Sequence, residues 1–329
     1  MQKGLINRSN IFYSSLIIVQ CLIFGLSFIA VKSLLENTGM PTFLLIAVRF
    51  AIGAIFLFAT SKLLNYFPKV VERVGYNNNF SQKELVSGLI AGAVLFAAFA
   101  LQTAGANTTT PAKNALFTDL FVIFVPVITM LLARKFSLKP LLTSGLAFVG
   151  VMFIINIFSE EASFGVGDLL SLLCGVTFAV HFVVLEKFSF AAEGKNRLNP
   201  YNFTVIQLVV VSVLGLIFSL SMELNQYAMI DWGKAIGWLL FLGILSSAVA
   251  YLLQFIAQEK IAAQTTALLS CSEVIFAMIF ALAFGFDKFS WLFIGGAIIV
   301  IIAMVLSSTT FDKKKKAQKE ISANEEKKE

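Results

Sequence analysis

The sequence predicts an all-α integral membrane protein with ten transmembrane helices, arranged as two inverted five-helix repeats. Three observations carry that reading. Hydrophobic residues fill 58% of 329 positions against 13% charged, and the mean hydropathy is +0.86, values that no water-soluble single domain tolerates on its surface. The apolar residues fall into ten runs of membrane-spanning length. The second half of the chain also repeats the residue pattern of the first at a nearly constant offset.

A hydrocarbon core about 30 Å thick needs roughly 20 apolar residues per helix. Spans of that length run near Ile11 to Leu34, Pro41 to Leu63, Leu85 to Ala106, Ala112 to Ala133 and Leu138 to Phe158 in the first half. In the second half they run near Val166 to Lys187, Asn202 to Ser221, Gly233 to Ala257, Ile261 to Phe284 and Ser290 to Ser308. The first span follows Lys3 and Arg8 as a secretory signal would, but it is too long for a cleaved peptide and reads as a retained helix. Pro126 falls inside the fourth span, where a kink would free carbonyls. Gly88, Gly92, Gly175, Gly295 and Gly296 are expected to let helices approach closely.

The net charge of +6 is topological and does not mark a nucleic-acid binder, because the basic residues sit between apolar runs and in the tail. With a cytoplasmic N-terminus, twenty of the 25 Lys and Arg residues fall in inside segments. Outside lie only Lys32, Lys113, Lys234 and Lys288, and Arg49 stands within a span. The positive-inside rule then places both termini in the cytoplasm of a multi-pass cell-membrane protein. Residues 312–329 read as a disordered charged cytoplasmic tail whose Lys313 to Lys316 cluster suits anionic lipid. Cys21, Cys174 and Cys271 all lie in apolar stretches without metal-ligand spacing and read as packing residues.

The repeat is legible residue by residue. Phe24 to Ile29 faces Phe178 to Val183 with matching size and type except at Ser27 against His181, and Val48, Arg49, Phe50 faces Ile206, Gln207, Leu208. Gln102 pairs with Gln254, Ala115 and Leu116 with Ala267 and Leu268, and the tripeptide KFS recurs at 135–137 and 288–290. The offset stays between 152 and 158 residues. Five spans is an odd number, so the second copy enters the bilayer from the opposite side, dividing the chain into repeats at 1–158 and 159–311. Halves related in this way can exchange inward and outward shapes, the architecture expected for alternating access.

Several of these stretches, FGLSFIAVK (24–32), VRF (48–50), TPAKNALFTDLFVIFVPV (110–127), the Gly167–Asp168 pair and SEV (272–274), resemble the EamA-type members of the drug/metabolite transporter superfamily up to about Ser308. The resemblance implies export of small metabolites, often amino acids or related compounds, through a central cavity between the halves. It implies no cofactor and no enzymatic activity, and a homodimer is left open. The expected partners are a small-molecule substrate and membrane lipids, with no nucleic acid.

Ionisable groups at membrane depth cost about 2.5 to 3.5 kcal/mol on the insertion scale, so each is a functional candidate. Arg49 lies ~12 Å into the second span, near the midplane. With Gln102, His181, Gln207 and Gln254 it forms the expected substrate-binding set, while Asp119, His181 and Glu273 are the proton-coupling candidates. The competing reading for each is a buried polar group pairing with a neighbour, for Arg49 an ion pair to Asp119 or Glu273. No catalytic or metal-binding residue is expected. Gly165 to Asp168 does match the GxGD string of one group of membrane aspartyl proteases, but Asp168 opens a helix as a cap and no tyrosine-aspartate partner precedes it. A channel or receptor is the other alternative, and the chain has no phosphate loop for an ATP-driven pump.

Overall fold

The computed structural model describes residues 2–64, 80–106, 108–109, 111–159, 164–189, 198–285 and 289–306. The tail at 312–329 and Lys288 of the second KFS lie outside the described residues. The described secondary structure is entirely helical, with eight helices long and apolar enough to cross a membrane. We label them in chain order with two shorter apolar helices: α1 (Ile11–Thr38), α2 (Thr42–Leu63), α3 (Gln82–Gly105), α4 (Asn114–Ala133), α5 (Leu138–Ile154), α6 (Val166–Ser189), α7 (Pro200–Met222), α8 (Trp232–Gln258), α9 (Ala263–Ala283) and α10 (Trp291–Leu306).

Helix starts follow local capping chemistry. Ser81 and Glu84 form a reciprocal box at the head of α3, with Glu84 N–H donating to Ser81 Oγ (3.1 Å) and Ser81 N–H to Glu84 Oε2 (2.9 Å). Asn199 Oδ1 caps α7 through Tyr201 N–H, with Pro200 at the first helical position. Asp231 caps α8, and its hydrogen bond from the Lys234 ammonium holds its exposed carboxyl below the usual range. The fifth helix ends earlier than Phe158, because Asn156 takes a left-handed conformation (φ 50°) that stops it.

α2 and α7 run antiparallel through the middle, the α7 end packing on the α2 start. α3 lies against α6 and α7, α8 against α1 and α2, α1 against α9, and α4 against α6. α5 and α10 meet where Gly150 and Gly296 bring backbones together. Close approach is required at Gly243, whose added Cβ would lie 3.0 Å from the Arg49 carbonyl, and at Gly92, where it would lie 2.8 Å from the Gln207 carbonyl. Gly88 and Gly175 are similarly tight, whereas Gly295, expected to be so, has open space around it. Large apolar side chains such as Ile55, Leu131, Leu142 and Trp291 stand exposed around the outside, the surface that lipid would solvate.

Three of the helices are irregular. α4 breaks at Leu120 (φ −57°, ψ −13°) and α9 at Cys271 (φ −59°, ψ −18°), the same backbone step 151 residues apart. The step in α4 falls before Pro126, the residue where a kink is expected, and α9 makes it with no proline at all, so proline is not its necessary cause. α8 widens into a π-helical stretch over Leu242–Val249.

Candidate functional site

Arg49 is only 5% exposed, about two turns into α2. Its Nε donates to Ser247 Oγ at 3.1 Å and its Nη2 to Ser246 Oγ at 3.0 Å. Both serines belong to the π-helical stretch of α8 and are fully buried. Adjacent positions in an α-helix diverge by about 100°. Here both hydroxyls nonetheless reach the same guanidinium. The rings of Phe50 and Phe99 sit 5.1 and 5.2 Å from the guanidinium carbon, within cation–π range. Among the described residues no carboxylate pairs with Arg49, so the expected alternative of an ion pair to Asp119 or Glu273 is not what the structure contains.

The rings extend outward from Arg49 as a connected set. Phe50 contacts Phe99 (5.2 Å between centroids) and Tyr251 (6.1 Å), Phe99 contacts Phe178 (5.7 Å), and Tyr251 contacts Phe24 (5.6 Å) and the His181 imidazole (6.2 Å). His181 Nε2 lies 3.4 Å from Gln207 Oε1, both residues being buried. Arg49, His181 and Gln207 are thus brought around one aromatic cluster drawn from α1, α2, α3, α6 and α8. Gln254 lies one turn past Tyr251, where its Oε1 accepts from Gln20 Nε2 at 3.2 Å, an interhelical bond between α8 and α1. Gln102 is one turn past Phe99 and half-buried; its carbonyl accepts from Asn114 Nδ2 at 3.0 Å. Sequence reasoning passed over Ser246, Ser247, Tyr251 and Phe99. The available signal was the adjacent serine pair inside an otherwise apolar run.

The carboxylates occupy a second layer, at the two helix breaks. Asp119 ends the first segment of α4 with Oδ2 buried and without a hydrogen-bond partner, and Glu273 opens the second segment of α9. They lie within electrostatic reach of each other and of Cys21 and Cys271. The Cys21 thiol approaches the carbonyls of Leu269 and Ser270 (3.7 and 3.9 Å) just before the α9 break, and Thr118 Oγ1 lies 3.8 Å from Cys174 Sγ beside the α4 break. His181 takes Gln207 as its polar partner. Asp168 accepts from Gly165 N–H (2.9 Å) and from the Thr109 hydroxyl, which accounts for it as a cap tying the start of α6 to the segment before α4. Among the described residues no group of His, Cys, Asp and Glu is arranged to hold a metal ion.

The statistical model of the EamA-like transporter family matches the chain twice, over residues 11–156 and again over 165–309. The chain belongs to the EamA-like transporter family. Each EamA match covers five of the helices above. The EamA chain is 24% identical over 267 residues to an uncharacterized transporter of Archaeoglobus fulgidus, covering 80% of this chain and 74% of the relative. A crystal structure described only as that of a protein superposes with a TM-score of 0.72, over 91% of this chain and 96% of the other, at 15% identity. That likeness concerns the fold alone. The protein is a multi-pass membrane transporter.

Proposed function

We propose that the protein carries a small carboxylate-bearing metabolite, an amino acid or related compound, across the cell membrane in the direction of export by alternating access. The observation that carries this reading is Arg49: a guanidinium buried about two turns inside a membrane-spanning helix, held by two neutral hydroxyls and two aromatic faces, with no acidic partner among the described residues. An uncompensated charge at that depth is costly, and a bound anion supplies the missing counter-charge with charge-assisted hydrogen bonds. His181, Gln207 and, one turn farther along, Gln102 and Gln254 supply the polar rim of the same site.

Two inverted five-helix halves are supported by the way contacts recur. Gly243 on α8 meets Arg49 and Ile52 of α2, while Gly92 on α3 meets Gln207 and Val210 of α7, the repeat partners of those residues. Cys21 on α1 meets the Leu269 and Ser270 carbonyls, while Gly175 on α6 meets those of Phe117 and Thr118, again repeat partners. With both termini cytoplasmic, the α4 and α9 breaks lie where related helices cross, and Asp119 and Glu273 stand there as the proton-handling groups, with His181 in the adjoining layer.

Counterflow in proteoliposomes tests the whole reading. The wild type should exchange labelled carboxylate solutes across the bilayer, whereas a channel gives no counterflow. Arg49→Lys keeps the charge and loses the fork, so it should insert normally yet bind carboxylates ~10-fold or more weakly, with neutral solutes little changed. Glu273→Gln in the same vesicles should spare exchange and abolish uptake driven by a pH gradient. Unchanged carboxylate affinity in Arg49→Lys and Arg49→Ala sinks the anion role, and equal loss of both activities in Glu273→Gln sinks the coupling role.

A further inference from the structure

We infer that Ser246 and Ser247 turn Arg49 into an end-on site that selects planar monocarboxylates, which makes the π-helical stretch of α8 the specificity element of the transporter. This rests on the reading of Arg49 as the anion site. A guanidinium offers five N–H donors in a rigid plane and two edges on which a pair of parallel N–H groups can meet two oxygens. The side edge, formed by Nε and Nη2, is already occupied by Ser247 and Ser246. The two ring contacts, Phe50 at 5.1 Å and Phe99 at 5.2 Å, disfavour an anion stacked on the plane. The end edge, formed by Nη1 and the second hydrogen of Nη2, is what remains.

Nη1 makes no hydrogen bond, and it is not among the buried unpartnered polar atoms, which are Gln20 Oε1, Asp119 Oδ2, Gln258 Oε1 and Thr265 Oγ1 among the described residues. Part of its surface is therefore left uncovered by protein. One free edge with two parallel donors matches the two coplanar oxygens of a carboxylate. A sulfonate or phosphonate brings a third oxygen, which would lie beside Phe50 and Phe99 without a donor, and a buried polar atom without a partner is penalised. A second negative charge fares worse for the same reason. The same rings, continued by Phe24, Phe178 and Tyr251, provide apolar surface for an aromatic or aliphatic body next to the carboxylate.

The test is calorimetric titration of the purified full-length chain in lipid nanodiscs with four ligands of one skeleton: phenylacetate, phenylmethanesulfonate, benzylphosphonate and phenylacetamide. The wild type should bind phenylacetate at least ~10-fold more tightly than the other three. The double variant Ser246→Ala/Ser247→Ala frees the side edge, so its preference over the sulfonate and phosphonate should shrink to within about 3-fold. The pair Ser246→Thr/Ser247→Thr keeps both acceptors and should keep the ranking. A wild type that binds the sulfonate or phosphonate as tightly as phenylacetate overturns the proposal, and so does an alanine pair that folds with the full preference retained. Should the alanine pair fail to insert, the wild-type ranking and the threonine pair decide. Equal binding of phenylacetamide and phenylacetate, or no binding of any of the four, removes Arg49 as an anion site and takes this proposal with it; a normal carboxylate preference with an unaltered ranking in the alanine pair removes the serine role alone.

Discussion

Glu84 and Glu223 are buried carboxylates that serve backbone groups at opposite ends of the α2–α7 pair. Glu223 accepts from Phe43 and Leu44 N–H, both at 2.9 Å, and from Ser219 Oγ at 2.8 Å, capping the start of α2 from the far end of α7. Glu84 accepts from Asn199 N–H at 2.8 Å and Asn202 Nδ2 at 3.2 Å, joining the start of α3 to the start of α7. Each carboxylate fills donors that a helix N-terminus leaves orphaned, and it places negative charge at the favourable end of the dipole. Glu223→Ala should lower stability by about 1 to 3 kcal/mol, because the N–H groups of α2 stay buried without acceptors. Glu223→Gln, which retains one acceptor oxygen, should fall between the alanine variant and wild type. Thermal unfolding in detergent reads the difference, and an alanine variant as stable as wild type would show that lipid headgroups or water replace the carboxylate. Neither glutamate was legible in the sequence as a staple, since its partners lie 115 to 180 residues away.

At the scale of elements, the site depends on how closely α8 approaches α2. A Cβ on Gly243 would fall 2.5 Å from Ile52 Cγ2 and 3.0 Å from the Arg49 carbonyl, so Gly243→Ala must push the π-helical stretch away from α2. The expected cost is about 1 to 3 kcal/mol of overpacking, together with weakened serine bonds to Arg49 and poorer anion binding. Gly237, on the same helix with open space around it, is the control. There Ala should be neutral or slightly stabilising, since Gly costs up to ~1 kcal/mol in a helix interior. Titration of an anionic solute against both variants measures the contrast, and equal behaviour would mean that α8 shifts without consequence for Arg49. The sequence marks Gly88, Gly92 and Gly175 as contact residues by spacing, yet Gly243 escapes that pattern and Gly295 fits it without a contact. Small size permits close packing but does not say which glycines are used.

For the whole molecule, the proposed orientation rests on charge and on an odd number of spans in each proposed repeat. A reporter fused after Phe158 should read external and one after Ser189 cytoplasmic, since α6 would cross between them. The reverse outcome would refute the inverted arrangement, whatever the site binds. The recurrence of the Gly243–Arg49 and Gly92–Gln207 crossings shows what such an arrangement would conserve: backbone approach at matched positions, with different side chains above it. Arg49 and its partner position Gln207 illustrate the consequence. One half would supply the charge, while the other supplies a neutral amide that faces His181.

Local pattern along the chain was enough to read the helical membrane class, the course of the helices, a candidate duplication and the identity of the costly buried groups. Each of these is written in local hydropathy, in the distribution of Lys and Arg, or in residue pairs at fixed offset, and none needs a long-range contact to be read. Which side chain partners which emerges from the packed helices alone. The tertiary fold put two neutral serines against Arg49 where a carboxylate was the competing expectation, and it set His181 against Gln207. It also interrupts α4 at Leu120 and α9 at Cys271, steps that no local residue pattern announces. The physical reason is common to all three. Side-chain pairing and helix breaks depend on the rotation and depth at which separate helices meet, which packing between distant segments fixes and local pattern does not.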